Sequence, residues 1–250
     1  MNKLFNLIAT NKGRGFFNVV KNVEEPVIYL YDVIVGDSYW GGIDALTFSK
    51  ELASLDAPVI HLRINSPGGD VFAGRAIEQA IREHSSQIIV HVDGYAASAA
   101  SYVALAGDVV NIAAGGFFMI HKAMTVAWGN ADEMQKTVNL LNKIDAALVK
   151  TYAAETGQTE TQLNEWLAAE TWFDAEEALL YGFVDAISSV ADKQGAQNSV
   201  DWDLTAYGKP PALTNKAGAL PVENNDTESQ TILTPDFSAM RRRLALTERG

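Results

Sequence analysis

Residues 59–94 read VIHLRINSPGGDVFAGRAIEQAIREHSSQIIVHVDG, and their alternation decides the fold. VIHLRINS (59–66) and QIIVHVDG (87–94) are β-branched runs of strand length, and residues 71–83 between them read as a helix. Strands joined by a helical crossover pair in parallel, so this unit predicts an α/β architecture. The intervening SPGGD (66–70) has two glycines that permit positive φ and close backbone approach. A plain tight turn would explain it equally well.

The alternation continues on both sides. VIYLYDVIV (27–35) is a strand that stops at Gly36, and SYWGGIDALTFSKELASL (38–55) spaces Ile43, Leu46 and Leu52 at helical intervals before Pro58. Beyond residue 94 come a small-residue helix from about residue 98 and strands near DVVNIA (108–113) and GFFMIH (116–121). Asn130 with Glu133 resembles a capping box. Ala131, Met134, Val138, Leu141, Ile144, Leu148 and Tyr152 then recur every three or four residues until Gly157. The expected helix, 131 to about 155, would be roughly 37 Å long at 1.5 Å per residue, more than a compact domain needs. It is expected to serve as an arm between subunits. Two shorter helices are opened by Thr159 with Gln162 and by Asp174 with Glu177, the second closing at Gly182.

After residue 188 periodicity fades and turn formers dominate. The expected organisation is an N-terminal extension (1–25), one folded domain (26–188) and a mostly flexible tail (189–250). Its last part, MRRRLALTER (240–249), reads as a short basic helix for a partner.

Composition narrows the function. A chain of 250 residues with 48% apolar content can bury one sizeable core. A formal charge of −12 opposes phosphate recognition, so nucleic acid is not an expected partner. With no cysteine there is no thiol nucleophile, disulfide or thiolate metal site, which fits a reducing compartment. The early LFNLIA run is too short for a secretory segment, and no stretch reaches the ~18 apolar residues a membrane span needs. The expectation is a soluble, cytoplasmic protein without metal or cofactor.

The candidate chemistry is an oxygen nucleophile. GYAASAASYVALAGD (94–108) places Ser98 at a strand-to-helix junction among Ala96, Ala97, Ala99 and Ala100, small enough to let a substrate backbone approach. An activated hydroxyl needs a base and donors for the oxyanion. Ser98 also reads as a simple N-cap, and Ser101, one turn on, as packing or a local backbone hydrogen bond. Of the four histidines, His61 and His91 alternate within strands and His84 ends a surface helix. His121 ends the apolar strand FFMIH, where open α/β sheets present residues to a crevice.

INSPGGDVFAG, GYAASAAS and FFMIHKA resemble, in order and spacing, the three motifs of the ClpP family, the proteolytic subunit of Clp proteases. TGQTETQL and DAEEALLYGFVDAI are similar to its closing segments, so the resemblance covers about residues 26–188. It implies a ClpP/crotonase-like fold of repeated β-β-α units with a long protruding handle helix. It also implies a serine endopeptidase working as a ring homo-oligomer, heptamer or double ring, on polypeptide substrates, with a possible AAA+ unfoldase partner. Carried over, Ser98 matches the nucleophile, His121 the general base, and the N–H groups of Gly69 and Ala99 the oxyanion hole. Backbone around Gly68, Gly69, Asp70 and Val71 would pair with the substrate as an added strand. The family's third member is an aspartate; here Glu170 stands in its place, with Thr171 and Asp174 nearby. The divergent start and long tail are similar to phage head-maturation proteases, which implies capsid or scaffold proteins as substrates. An acyl-CoA hydratase or isomerase and an inactive scaffold are the competing readings.

Overall fold

The computed structural model describes residues 3–188, 200 and 202–211; the basic segment 240–249 lies outside them. The first half of the chain gives α1 (Lys3–Asn11), β1 (Phe16–Val20), β2 (Val27–Tyr31), β3 (Ile34–Val35), β4 (Ile43–Asp44), α2 (Ala45–Ala53), β5 (Val59–Ser66), α3 (Val71–Arg82) and β6 (Gln87–Ala97). Then follow α4 (Ala99–Ala104), β7 (Val109–Ala113), β8 (Phe117–Ile120), α5 (Ala131–Thr156), α6 (Glu160–Ala169), β9 (Thr171–Phe173), α7 (Ala175–Leu180) and β10 (Ala186–Ser188).

The 59–94 unit forms as expected, with β5 and β6 parallel across the α3 crossover. Strand alternation puts Ile60, Leu62 and Ile64 of β5 and Ile88, Val90 and Val92 of β6 in the core, under Phe48, Leu52, Ile77 and Ile81 from α2 and α3. The main sheet runs β1-β2-β5-β6-β7-β10, parallel except where β1 folds back on β2.

On the other face, His61 Nδ1 and His91 Nε2 lie 2.9 Å apart and His61 Nε2 lies 2.7 Å from Glu25 Oε2. Beside them Arg63 pairs with Asp93, which also accepts from the Tyr31 hydroxyl. Burial first, then the Arg63 charge, lower the His91 pKa to about 4. His61 and His91 are thus sheet residues, as their alternation implied.

One strand changes partner midway. The first half of β6 pairs with β7, whereas Tyr95–Ala97 pairs in parallel with Phe117–Met119 of β8. That switch leaves the ends of β6 and β8 side by side, and β9 runs antiparallel on the far side of β8.

The long helix is present as α5, with its Asn130–Glu133 capping box and left-handed Gly157 cap. Its buried residues, Leu148, Val149, Tyr152, Glu155 and Thr156, all lie in its final turns, so the preceding turns lie off the core.

Three expectations are corrected. The 38–55 helix starts only at Ala45, with Ile43 in β4, Leu46 exposed and Phe48 taking the buried position. The N-terminal extension is not separate, because β1 supplies an edge strand of the sheet. Part of the expected flexible tail is packed: Trp202, Leu204, Ala206 and Tyr207 are buried with Leu7, Val33, Tyr95 and Met119. Asn11 fastens this segment, donating to the Asp203 carbonyl at 2.9 Å and accepting from the Asp203 N–H at 2.7 Å. Among the described residues no helix is long and apolar enough to cross a membrane.

Candidate active site

Ser98 is the single residue between the end of β6 and the start of α4, and the chain makes this turn by its adopting φ 54°, ψ −119°. Such a backbone costs a non-glycine residue on the order of 1–3 kcal/mol, and the surroundings must enforce it. They do so by Ser98 N–H donating to Met119 O at 2.9 Å and by Ser98 O accepting from the Ser101 N–H at 3.0 Å and hydroxyl at 2.5 Å. Ser101 is fully buried and hydrogen-bonded to the Tyr152 hydroxyl, so its role is the local one its position suggested.

Ser98 occupies the N-cap position but its side chain makes no capping bond. Its Oγ lies 2.7 Å from His121 Nε2. Since β6 and β8 are parallel with Ala97 opposite Met119, both strands deliver their next residues to one end of the sheet. Backbone register therefore brings together Ser98 and His121, 23 residues apart in sequence.

The SPGGD turn packs against this pair. A Cβ at Gly68, whose φ is +87°, would lie 2.4 Å from Ala97 O and 2.8 Å from both Ala99 N and Ser98 Cβ. Ile34 N–H donates to Gly68 O at 2.9 Å, and Asp70 N–H donates to Ile34 O at 2.8 Å. These two bonds leave the N–H and C=O of Gly69 on the side of the turn away from β3, and Gly69 lines the cleft with Ser98 and Ala99. The bonds also narrow the expected pairing surface. Gly68 O and Asp70 N are engaged by β3, Asp70 Oδ1 caps Ala73 N, and Val71 O accepts from the Tyr102 hydroxyl. Ala96, Ala97, Ala99 and Ala100 are buried, and Ala99 also lines the cleft.

The acidic candidates separate by their partners. Asp174 forms a capping box with Glu177 at the start of α7, and the Thr171 hydroxyl donates to Trp166 O. Glu170 immediately precedes Thr171, whose pairing with Ile120 is the last pair of the β8–β9 ladder, and His121 immediately follows Ile120. Glu170 has a left-handed backbone, φ 53°, and Lys209 N–H donates to its Oε1 at 2.7 Å. No sequence signal announced that bond, because Lys209 lies in the segment expected to be flexible.

Sequence reasoning also missed Tyr207. Its ring stands edge-on to the His121 ring, centroids 5.4 Å apart, and its hydroxyl donates to Pro67 O. Burial pushes its phenol pKa well above the ordinary range, and nearby Glu170 adds to the rise. The cleft, about 570 Å³, is lined by Leu7, Ala206 and Tyr207, by Ser98 and His121, and by the apolar side chains of Met124, Val126, Leu141 and Ile144.

This arrangement is a hydroxyl paired with an imidazole beside a glycine turn in a cleft, the equipment of acyl transfer. Residues 18–191 match the family model described as Clp protease. The ATP-dependent Clp protease proteolytic subunit 2 of Tropheryma whipplei is 35% identical over 130 residues, 51% of this chain and 72% of that protein. The subunit 2 of Pseudomonas aeruginosa is 30% identical over 138 residues, 54% of this chain and 69% of that protein. The solved structure of a point mutant of ClpP1 from Listeria monocytogenes superposes with a TM-score of 0.58 at 24% identity, covering 66% of this chain and 92% of that one, and so shares the fold. The chain belongs to the Clp protease family of serine peptidases.

Proposed function

We propose that the chain is a serine endopeptidase with Ser98 as nucleophile and His121 as general base. The observation that carries this is the 2.7 Å contact between Ser98 Oγ and His121 Nε2, made by a serine in a strained backbone that forgoes its capping bond. Ser98 Oγ attacks the scissile carbonyl carbon as its proton passes to His121 Nε2, and the Gly69 and Ala99 N–H groups receive the oxyanion. Collapse breaks the C–N bond, and the amine leaves with the proton from Nε2. Water then attacks the acyl-enzyme, giving its proton to Nε2, and Ser98 is released as the proton returns to Oγ. Glu170 is the acid assigned to orient the imidazole, supported by its position one residue before Thr171, the β9 partner of Ile120.

Ring assembly through α5 follows from family membership and from the turns of α5 that lie off the core. The substrate class we favour is capsid or scaffold precursors in a bacterial host cytoplasm or prohead, since segments on both sides of the family match, 1–17 and 192–250, are additions to the family unit. The named relatives favour a second reading, a subunit fed by an ATP-dependent unfoldase.

A fluorophosphonate probe should label Ser98 alone, and Ser98→Ala should abolish labelling and cleavage while leaving the fold intact. Labelling at Ser101, or activity retained in Ser98→Ala, refutes the assignment. Processing of capsid precursors without ATP supports the first substrate reading, co-purification of an ATPase ring the second. Thioester turnover by Ser98→Ala would point to crotonase-type chemistry.

A further inference from the structure

The cleft of this chain has a wall that the family unit does not supply. Residues 202–209 lie beyond the matched span 18–191, as does α1 on the other side. These two additions meet each other, through the reciprocal Asn11–Asp203 bonds, and together reach the catalytic pair.

The fit is built rather than incidental. Trp202 is 2% exposed and donates through Nε1 to Asn65 Oδ1 at 3.1 Å, an oxygen that also accepts from Tyr95 N–H. A Cβ at Gly15 would stand 2.6 Å from the Trp202 ring, so that position leaves room for the indole. Lys209 N–H is held by Glu170, and its Nζ donates to Ala169 O. Between these anchors Tyr207 sets its ring against His121 and its hydroxyl on the Pro67 carbonyl, lining the cleft together with Ser98.

An endopeptidase must accommodate chain on both sides of its nucleophile. The lining of this cleft includes the apolar side chains of Met124, Val126, Leu141 and Ile144, and it takes Leu7, Ala206 and Tyr207 from the two added segments. We infer that residues 202–209 form a wall across the substrate cleft, with Tyr207 as a specificity-determining residue. Acyl substrates with a small leaving group reach Ser98 past this wall, and a polypeptide extending to both sides is cut only when it is displaced. This inference rests on Ser98 and His121 acting as proposed above.

The test uses the full chain and three readouts: fluorophosphonate labelling of Ser98, hydrolysis of the methyl ester of an N-acylated leucine, and cleavage of an internally quenched ten-residue peptide with a central leucine. Tyr207→Ala should raise the ratio of peptide to ester turnover at least tenfold. Tyr207→Phe, which keeps the ring, should leave that ratio at the native value. Asn11→Ala loosens the segment far from the reacting atoms, so it should raise the ratio even where Tyr207→Ala folds poorly. Equal ratios in the native chain, Tyr207→Ala and Asn11→Ala overturn the wall while labelled Ser98 keeps the nucleophile. A tenfold gain in Tyr207→Phe, or loss of both activities in a Tyr207→Ala chain that keeps the native circular dichroism, also overturns it. Absence of Ser98 labelling in every chain refutes the nucleophile, and the wall with it.

Discussion

Gly68→Ala tests how the glycine turn serves the nucleophile. At φ +87° an alanine costs about 1–2 kcal/mol in backbone energy alone. Its Cβ would also lie 2.4 Å from Ala97 O and 2.8 Å from Ala99 N, backbone atoms that cannot swing aside like a side-chain tip. Relief of such overpacking typically costs a further 1–3 kcal/mol or so. The total destabilisation is therefore about 2–5 kcal/mol. In a domain of this size it should lower Tm by about 4–20 °C, at roughly 2–4 °C per kcal/mol.

The chemical effect is separable from the thermal one. Relief comes by moving the turn away from Ser98, which carries the Gly69 N–H out of reach of a developing oxyanion. Loss of one such donor lowers turnover by about 10²–10³-fold. The assay is the second-order rate of fluorophosphonate labelling, measured well below the variant's Tm, beside thermal unfolding by circular dichroism. Gly115→Ala is the control, because no atom lies within 4 Å of a Cβ there, and it should match the native chain in both readouts. A Gly68→Ala chain with native Tm and labelling within threefold of native would refute the argument.

Glu170→Gln should slow labelling by up to about 10⁴-fold, whereas Asp174→Asn should change it little, since Asp174 caps α7. Native turnover in Glu170→Gln with loss in Asp174→Asn would transfer the orienting role to Asp174. His91 has a folded pKa of about 4 against 6.5 unfolded, so between these values the unfolded chain binds more protons. Stability should accordingly fall as pH drops from 6.5 to 4, by at most about 3 kcal/mol, and His91→Gln should flatten that part of the curve. Replacing Met134 and Val138, both on the part of α5 that lies off the core, by glutamate should convert a ring into smaller species by light scattering. Unchanged mass would count against α5 as the subunit contact.

The β5-α3-β6 unit was legible because its periodicity is local: Ile60, Leu62 and Ile64 alternate, and the crossover helix follows at once. His121 was legible because a lone imidazole ended an apolar strand. The close packing of Gly68 on the backbone of Ala97 and Ala99 joins residues about 30 positions apart, which no local pattern reveals. The 202–209 segment was illegible for the same reason. Trp202, Asp203 and Tyr207 follow no helical or strand period, and their partners Asn65, Asn11 and Pro67 lie 137 to 192 residues away. Polar, turn-rich composition predicted looseness, and a few anchors at long range made order instead. Glu170 stands between these cases: alignment named it, and the Lys209 bond belongs to the three-dimensional arrangement alone.

The Asn11–Asp203 clasp also sets an order of events during synthesis. Its two residues are 192 positions apart, so at roughly 5–20 residues per second the ribosome needs about 10–40 s to make one after the other. Strands β5, β6 and β8, which carry the turn, Ser98 and His121, all emerge within that interval. A nascent chain thus assembles its nucleophile and base first and acquires Tyr207 last, and α1 waits for its partner with Leu7 and Asn11 uncovered. On the wall proposed above, the cleft of a chain still being made stays open until residues 202–209 emerge, an interval set by translation speed rather than by any bound ligand.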